Sequence, residues 1–233
     1  MGEDSGGPVT QRAVDHIMAK ISHGELRPGD RLPTERVLAA ELGLSRSSMR
    51  EAVRVLSTIG VLETRQGSGV YVTPLGPEEL LETFGVLAEI SRGRTLVEVV
   101  QVRRMVEPPA TALAAARIDD DGLARVHQHL RTLAVPGDLH DIVAADLAFH
   151  SEIVAAAGNA TLSALHRGLS SRTFRTRVWQ GHTDAGVAAR LHHDHERIYR
   201  TLTDRDPLAA EAAAASHVLA VETWLTDHLD TFA

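Results

Sequence analysis

The sequence contains no cysteine. Disulfides, thiolate metal ligands and cysteine nucleophiles are thereby excluded, and any bound metal has to be held by His, Asp or Glu. Long hydrophobic runs are also missing: none approaches the roughly 20 apolar residues that a bilayer crossing needs. The first residues, MGEDSGGP, lack the basic and apolar regions of a signal peptide. A soluble, cytoplasmic protein without a membrane partner is expected. Aromatic residues are scarce, at 3%, so the core has to be built mainly from aliphatic side chains.

What is present suffices for two small domains, since 233 residues with 43% hydrophobic content can bury a substantial core. Charge is divided unevenly between them. Residues 1–75 hold nine Lys and Arg against nine Asp and Glu, whereas the remainder holds 15 basic and 22 acidic side chains, so the whole net charge of −7 belongs to the second part.

Between Leu32 and Val72 the chain reads LPTERVLAAELGLSRSSMREAVRVLSTIGVLETRQGSGVYV. Pro33 and Thr34 suit a helix start, with the Thr34 hydroxyl placed to accept an orphan amide and Glu35 to complement the helix dipole. Val37, Leu38 and Leu42 fall at helical spacing and predict one buried face. Gly43 tolerates the left-handed conformation that ends a helix, and Ser45 can cap the next one. In that second helix Met49, Val53 and Leu56 form an apolar stripe, while Arg46, Arg50 and Arg54 recur every fourth residue on another face. Guanidinium groups so placed can clamp guanine edges or phosphates, and the small Ser47 and Ser48 permit close approach to a nucleic-acid backbone. Gly60 ends the helix. Residues 61–65 and 70–72 then predict two strands joined by Gln66-Gly67-Ser68-Gly69, a wing that offers Gln66 and the Gly67 amide to the duplex.

The phrases PGDRLPTER, LGLSRSSMREAVRVL and GVLETRQGSGVYV resemble the winged helix-turn-helix of GntR-family transcription regulators over roughly residues 10–73. The resemblance implies DNA contacts at Arg36, Ser45, Arg46, Ser47, Ser48, Arg50, Gln66 and Gly67. Several family members carry Thr at the serine positions, which leaves the base preference open. Residues 1–9 are expected as a flexible tail.

Pro74-Leu75-Gly76-Pro77 reads as a linker, residues 74–77. From residue 78 to 230 the text is rich in Ala and Leu at helical spacing, predicting an all-helical bundle with helices near 78–91, 95–116, 120–133, 138–157, 160–179, 184–203 and 207–230. The fold class is thus mainly α, a winged helix-turn-helix followed by a helical bundle. Asp119-Asp120-Asp121 is expected to cap a helix rather than hold a metal.

Thirteen histidines are many for this length. His16, His23, His127, His129, His140, His166, His182 and His228 have no partner visible in the sequence and are expected at the surface or in packing. His192, His193 and His195 point to different helix faces, so they do not all converge. Asp146 and His150 stand four apart on one helix face, a spacing that serves a divalent ion, an exposed ion pair or a buried hydrogen bond alike. His217 interrupts an alanine-rich apolar run and is expected to face inward and need a polar partner. Arg103 fits a clamp for an effector carboxylate or, equally, a helix-surface salt bridge to Glu107. Arg172, Arg175 and Arg177 form a further basic cluster.

Together with VRRMVEPPATALAAAR, DLAFHSEIVAAAGN and DHERIYRTLTDRDPLAAEAAAASH, these positions resemble the helical effector-binding domain of the FadR subfamily, the type named FCD, over about residues 78–230. The resemblance implies a metal site at Asp146, His150, His195 and His217, with zinc, nickel, manganese or iron as the ion. It also implies a small organic acid as effector, for whose carboxylate Arg103 is the candidate clamp. A ligand-responsive regulator follows, expected to be a repressor that binds a palindromic operator in double-stranded DNA as a homodimer. A constitutive architectural DNA binder and a metal-dependent hydrolase are the alternatives. The hydrolase lacks an evident general base, since Glu152 and Glu196 sit at unhelpful positions.

Overall fold

The computed structural model describes residues 6–78, 91–134, 138–170 and 185–228. The chain divides into two compact units, Met1–Glu82 and Thr83–Ala233.

In the first unit α1 spans Gly6–Ser22 and packs on α3, with Ala13 and Ile17 fully buried. The helix therefore starts inside the segment expected as a tail. Its buried stripe explains why: packing against a neighbour stabilises helical residues well beyond their propensity.

Helix α2, Glu35–Leu42, buries Leu38 and Ala39 and leaves Val37 39% exposed. The expected face of Val37, Leu38 and Leu42 is thus rotated, because adjacent residues lie about 100° apart and Val37 falls on the far side of Leu38. Thr34 adopts the N-cap backbone conformation but its hydroxyl makes no cap hydrogen bond. Its carbonyl does the work instead, accepting from the Val37 and Leu38 amides at 2.8 and 3.1 Å. Gly43 closes α2 in the left-handed conformation, φ 64°.

Helix α3, Arg46–Thr58, begins as the sequence suggests: Ser45 Oγ accepts from the Ser48 amide at 3.1 Å. Met49, Ala52, Val53 and Leu56 are its buried stripe. Gly60, at φ 77°, lets the chain reverse so that the Gly60 amide bonds the Ser57 carbonyl and the Val61 amide bonds that of Leu56.

Strands β1, Leu62–Arg65, and β2, Gly69–Val72, pair antiparallel from Leu62↔Val72 to Arg65↔Gly69, which leaves residues 66–68 as the wing tip. The preceding loop covers the open edge of β2: the Leu32 amide bonds the Val70 carbonyl and the Gly29 amide that of Val72. An edge so covered cannot pair with another chain. Gly69 sits at φ 127°, where a Cβ would come within 2.8 Å of the Arg31 Nε. The arginine can swing aside but the backbone cannot relax. Gly69→Ala is expected to cost about 1–3 kcal/mol, read from chemical unfolding of the full chain.

The second unit is all helical: α4 Arg94–Arg117, α5 Asp120–Leu133, α6 Leu139–Ala156, α7 Ala160–Leu169, α8 Ala185–Thr203 and α9 Pro207–Asp227. Four of its helices start on side-chain caps, Asp119 to Gly122, Asp138 to Asp141, Asn159 to Leu162 and Asp206 to Ala209. The triple Asp is therefore a cap with two acidic residues in the first turn. The predicted helix 160–179 stops short, because Ser170 leaves helical conformation at φ −121° and ψ 47°. Residues 171–184, and with them Arg172, Arg175, Arg177 and His182, lie outside the described residues, as does most of the predicted helix 78–91.

Helix α4 packs against α6, α7, α8 and α9. That central position lets one face of α4 meet side chains from α6 and α7 in the interior. No helix among the described residues is long and apolar enough to cross a membrane.

Candidate functional site

Two sets of candidate side chains emerge, one in each unit. On α3, Arg46, Ser47 and Arg50 are exposed, as are Arg36 on α2 and Gln66 and Gly67 at the wing tip. The serine hydroxyls are already engaged with one another, Ser45 Oγ lying 2.8 Å from Ser47 Oγ and 2.9 Å from Ser48 Oγ. Ser45 is thus a cap as well as a candidate contact. Arg50 Nε lies 3.3 Å from Glu35 Oε2, and Arg54 Nη1 lies 3.4 Å from Glu51 Oε2. The wing is held by side chains the sequence did not single out: the Arg65 guanidinium sits 4.3 Å above the Tyr71 ring, and the Tyr71 hydroxyl bonds Ser68 Oγ at 2.6 Å.

In the helical unit, α6 carries Asp146 and His150 one turn apart, α8 carries His195 and α9 carries His217. All four are buried, none above 5% exposed. Asp146 Oδ1 lies 3.2 Å from His195 Nε2 and 3.8 Å from His150 Nε2, and those two nitrogens are 3.2 Å apart. The His217 ring centre is 4.5 Å from that of His195 and 5.0 Å from that of His150. One nitrogen of each imidazole lies within 4.8 Å of the others. Phe149 closes the site from the side, its ring edge-on to both His150 and His195.

The chemistry of this donor set fits a divalent ion. Two imidazole nitrogens facing each other can share at most one proton in a neutral pair, whereas a cation accepts a lone pair from each nitrogen and from the carboxylate. Three nitrogens and one oxygen suit zinc, nickel, manganese or iron.

Of the three clustered histidines on α8 only His195 turns inward; His192 and His193 accompany the exposed Glu196 at 3.4 and 4.0 Å. Glu152 holds Arg125 at 2.9 Å, away from the cluster. Among the histidines expected at the surface or in packing, His166 has the partners the sequence could not show. It is buried, with Nε2 3.3 Å from Glu107 Oε1 and 3.3 Å from Ser170 Oγ. Partners appear elsewhere too: His127 stacks on Tyr199, His228 on Trp224, and His16 and His140 approach Glu41 and Asp141.

Arg103 does pair with Glu107, Nε to Oε1 at 2.6 Å, yet the pair is in the interior rather than on a helix surface. The expectation of a surface salt bridge treated α4 as a boundary helix; packing on four neighbours buries that face instead. Glu107 Oε2 in turn faces His150 Nδ1 at 3.7 Å. Burial pushes the Glu107 carboxyl upward, but Arg103, the hydrogen bond from His166 and the nearby imidazoles outweigh it and hold the group well below the usual carboxylate range. Glu107 and His166 thus join the site on structural grounds. The signal in the sequence was slight, a charged pair four apart in otherwise apolar text.

Residues 9–72 match the family described as bacterial regulatory proteins, gntR family, and residues 98–220 match the FCD domain. The chain belongs to the GntR family, with an FCD domain as its second part. It is similar to the HTH-type transcriptional regulator LutR of Bacillus subtilis, 29% identical over 218 residues that span 90% of this chain and 98% of LutR. The Exu regulon transcriptional regulator of Escherichia coli is 26% identical over 211 residues, covering 89% and 81%. Among solved structures, a GntR protein of Streptococcus agalactiae superposes with a TM-score of 0.65 at 25% identity, covering 92% of this chain and 99% of that one. GntR proteins with FCD domains are DNA-binding transcription regulators and not enzymes.

Proposed function

We propose that this GntR protein is a ligand-responsive repressor that binds a palindromic operator as a homodimer and senses a small organic acid at a metal site in its helical unit. The observation that carries the reading is the convergence of three buried imidazoles from α6, α8 and α9, with the Asp146 carboxylate 3.2 Å from one of them, in a chain that also carries the GntR reading head. Residues 10–73 serve as that head, 74–77 as the linker, and 78–230 as the sensing and dimerising part, with the cytoplasm as the site of action. Arg36, Ser45, Arg46, Ser47, Ser48, Arg50, Gln66 and Gly67 contact the duplex.

Asp146, His150, His195 and His217 hold the ion, which when bound supplies a Lewis-acidic centre for an effector oxygen. Arg103 adds a guanidinium for the effector carboxylate, steadied by its bond to Glu107. An effector that binds one state of the protein better than another shifts its population, and through it the affinity for DNA. The balanced charge of the reading head, nine basic against nine acidic side chains over residues 1–75, limits non-specific attraction. Specificity then leans on two half-sites read together.

The test pairs metal analysis with operator binding. Purified protein is expected to carry about one ion per chain, lost in His217→Ala. A panel of carboxylic and sugar acids is expected to contain at least one that weakens operator binding by about 5- to 150-fold. Operator affinity unmoved by chelation and by every acid would instead identify a constitutive DNA binder.

A further inference from the structure

We propose that Glu107 is a positioning residue that fixes the tautomer of His150 and so sets the metal affinity of the site. The inference rests on the metal reading above and adds a residue outside its ligand set.

The two oxygens of Glu107 face different ways. Oε1 accepts from Arg103 Nε at 2.6 Å and lies 3.3 Å from His166 Nε2, while Oε2 faces His150 Nδ1 at 3.7 Å. All of these side chains are buried, and Arg103 and His166 both approach Oε1, so the carboxylate is held from two sides. The other nitrogen of the same ring, Nε2, points into the cluster, 3.2 Å from His195 Nε2.

A neutral imidazole has one N–H and one lone pair, and which nitrogen carries which is decided by its surroundings. An anionic carboxylate beside Nδ1 favours the proton there. At 3.7 Å this is an electrostatic bias rather than a hydrogen bond, but in a site shielded from water such a bias is little screened. The lone pair is then left on Nε2, the nitrogen aimed at the other ligands. Asp146 does not oppose this, because its Oδ1 is nearer to His195 Nε2, at 3.2 Å, than to His150 Nε2, at 3.8 Å. His195 Nε2–H can point between Asp146 Oδ1 and His150 Nε2, both at 3.2 Å, which again requires His150 Nε2 to be the acceptor. Arg103 acts one step further out, by holding the carboxylate that biases the ring.

Zinc titration of the full chain against a chromophoric chelator, together with long-range 15N–1H NMR of the metal-free protein, tests this. Glu107→Gln is expected to weaken zinc binding by about 10- to 100-fold, as loss of an orienting partner behind a histidine ligand does. Glu107→Asp, which keeps the charge, is expected to recover part of the loss. The wild-type spectrum is expected to show His150 protonated on Nδ1, a readout that needs no variant and so survives if Glu107→Gln fails to fold. A proton on Nε2, or unchanged zinc affinity in a folded Glu107→Gln protein, overturns the proposal. Wild-type protein that binds zinc no better than His150→Ala overturns the metal reading beneath it, and with it the assigned consequence.

Discussion

Arg103→Ala is expected to lower the unfolding free energy of the helical unit by about 3–5 kcal/mol. The magnitude follows from burial. Arg103 and Glu107 have only 2% and 3% of their side chains exposed, so deleting the guanidinium leaves a carboxylate in the interior without its principal countercharge. A second pair supplies the control: Arg104 on α4 reaches Glu222 on α9, Nε to Oε2 at 2.8 Å, a comparable separation, but with side chains 43% and 13% exposed. Solvent at the site of the exposed arginine and the Gln101 amide, which keeps donating to Glu222 Oε1 at 3.0 Å, replace that lost partner, so Arg104→Ala is expected to cost no more than about 1 kcal/mol. Both tryptophans, Trp179 and Trp224, lie in the carboxy-terminal part of the sequence. Tryptophan fluorescence during urea unfolding therefore reports the helical unit and not the reading head. Similar small losses for the two variants would mean that Glu107 is compensated by something other than Arg103.

The contrast between these two arginines shows where a sequence stops being readable. The end of α2 at Gly43, the Ser45 cap and the Met49, Val53, Leu56 stripe depend on neighbours within a few positions, and all were legible. Thr34 was not, because the carbonyl of a residue satisfies an amide as well as its hydroxyl does, and sequence spacing cannot tell them apart. The helical unit was legible as a set of helices and much less so as a site. Asp146 and His150 share a turn, but His195 and His217 arrive from other helices, and only the family resemblance joined all four. Arg103 and Arg104 are adjacent in sequence, each with a carboxylate partner, and one is buried while the other is not. That difference is made by α6, α7, α8 and α9 packing around α4, which no local pattern encodes. His166 was missed for the same reason, since its partner Glu107 lies 59 positions earlier in the numbering and on another helix.

The largest effect on DNA binding is expected from Arg46→Ala. A bidentate arginine contact to a base is worth about 1–3 kcal/mol, and a dimer on two half-sites loses it twice. The expected loss is about 2–6 kcal/mol, or roughly 30-fold to 10⁴-fold in operator affinity. Arg50→Ala is expected to lose less, because in the free protein Arg50 is within 3.3 Å of Glu35 and has to leave that pair before it meets the duplex. The exposed pair is worth at most about 1 kcal/mol, which is the part of the Arg50 contact already offset. Glu35→Gln is accordingly expected to tighten binding slightly, since it frees Arg50 and removes a negative charge near the duplex. A salt titration separates the roles. If Arg46 reads a base, its removal lowers affinity for the operator far more than for random DNA and leaves the salt dependence unchanged; if it binds phosphate, both affinities fall together and the slope drops by about one ion per site. A loss below about threefold on the operator would remove Arg46 from the contact set. The equality of basic and acidic side chains in residues 1–75 makes the measurement clean. With no surplus of positive charge to hold the reading head on DNA by itself, each specific contact has to appear in the affinity.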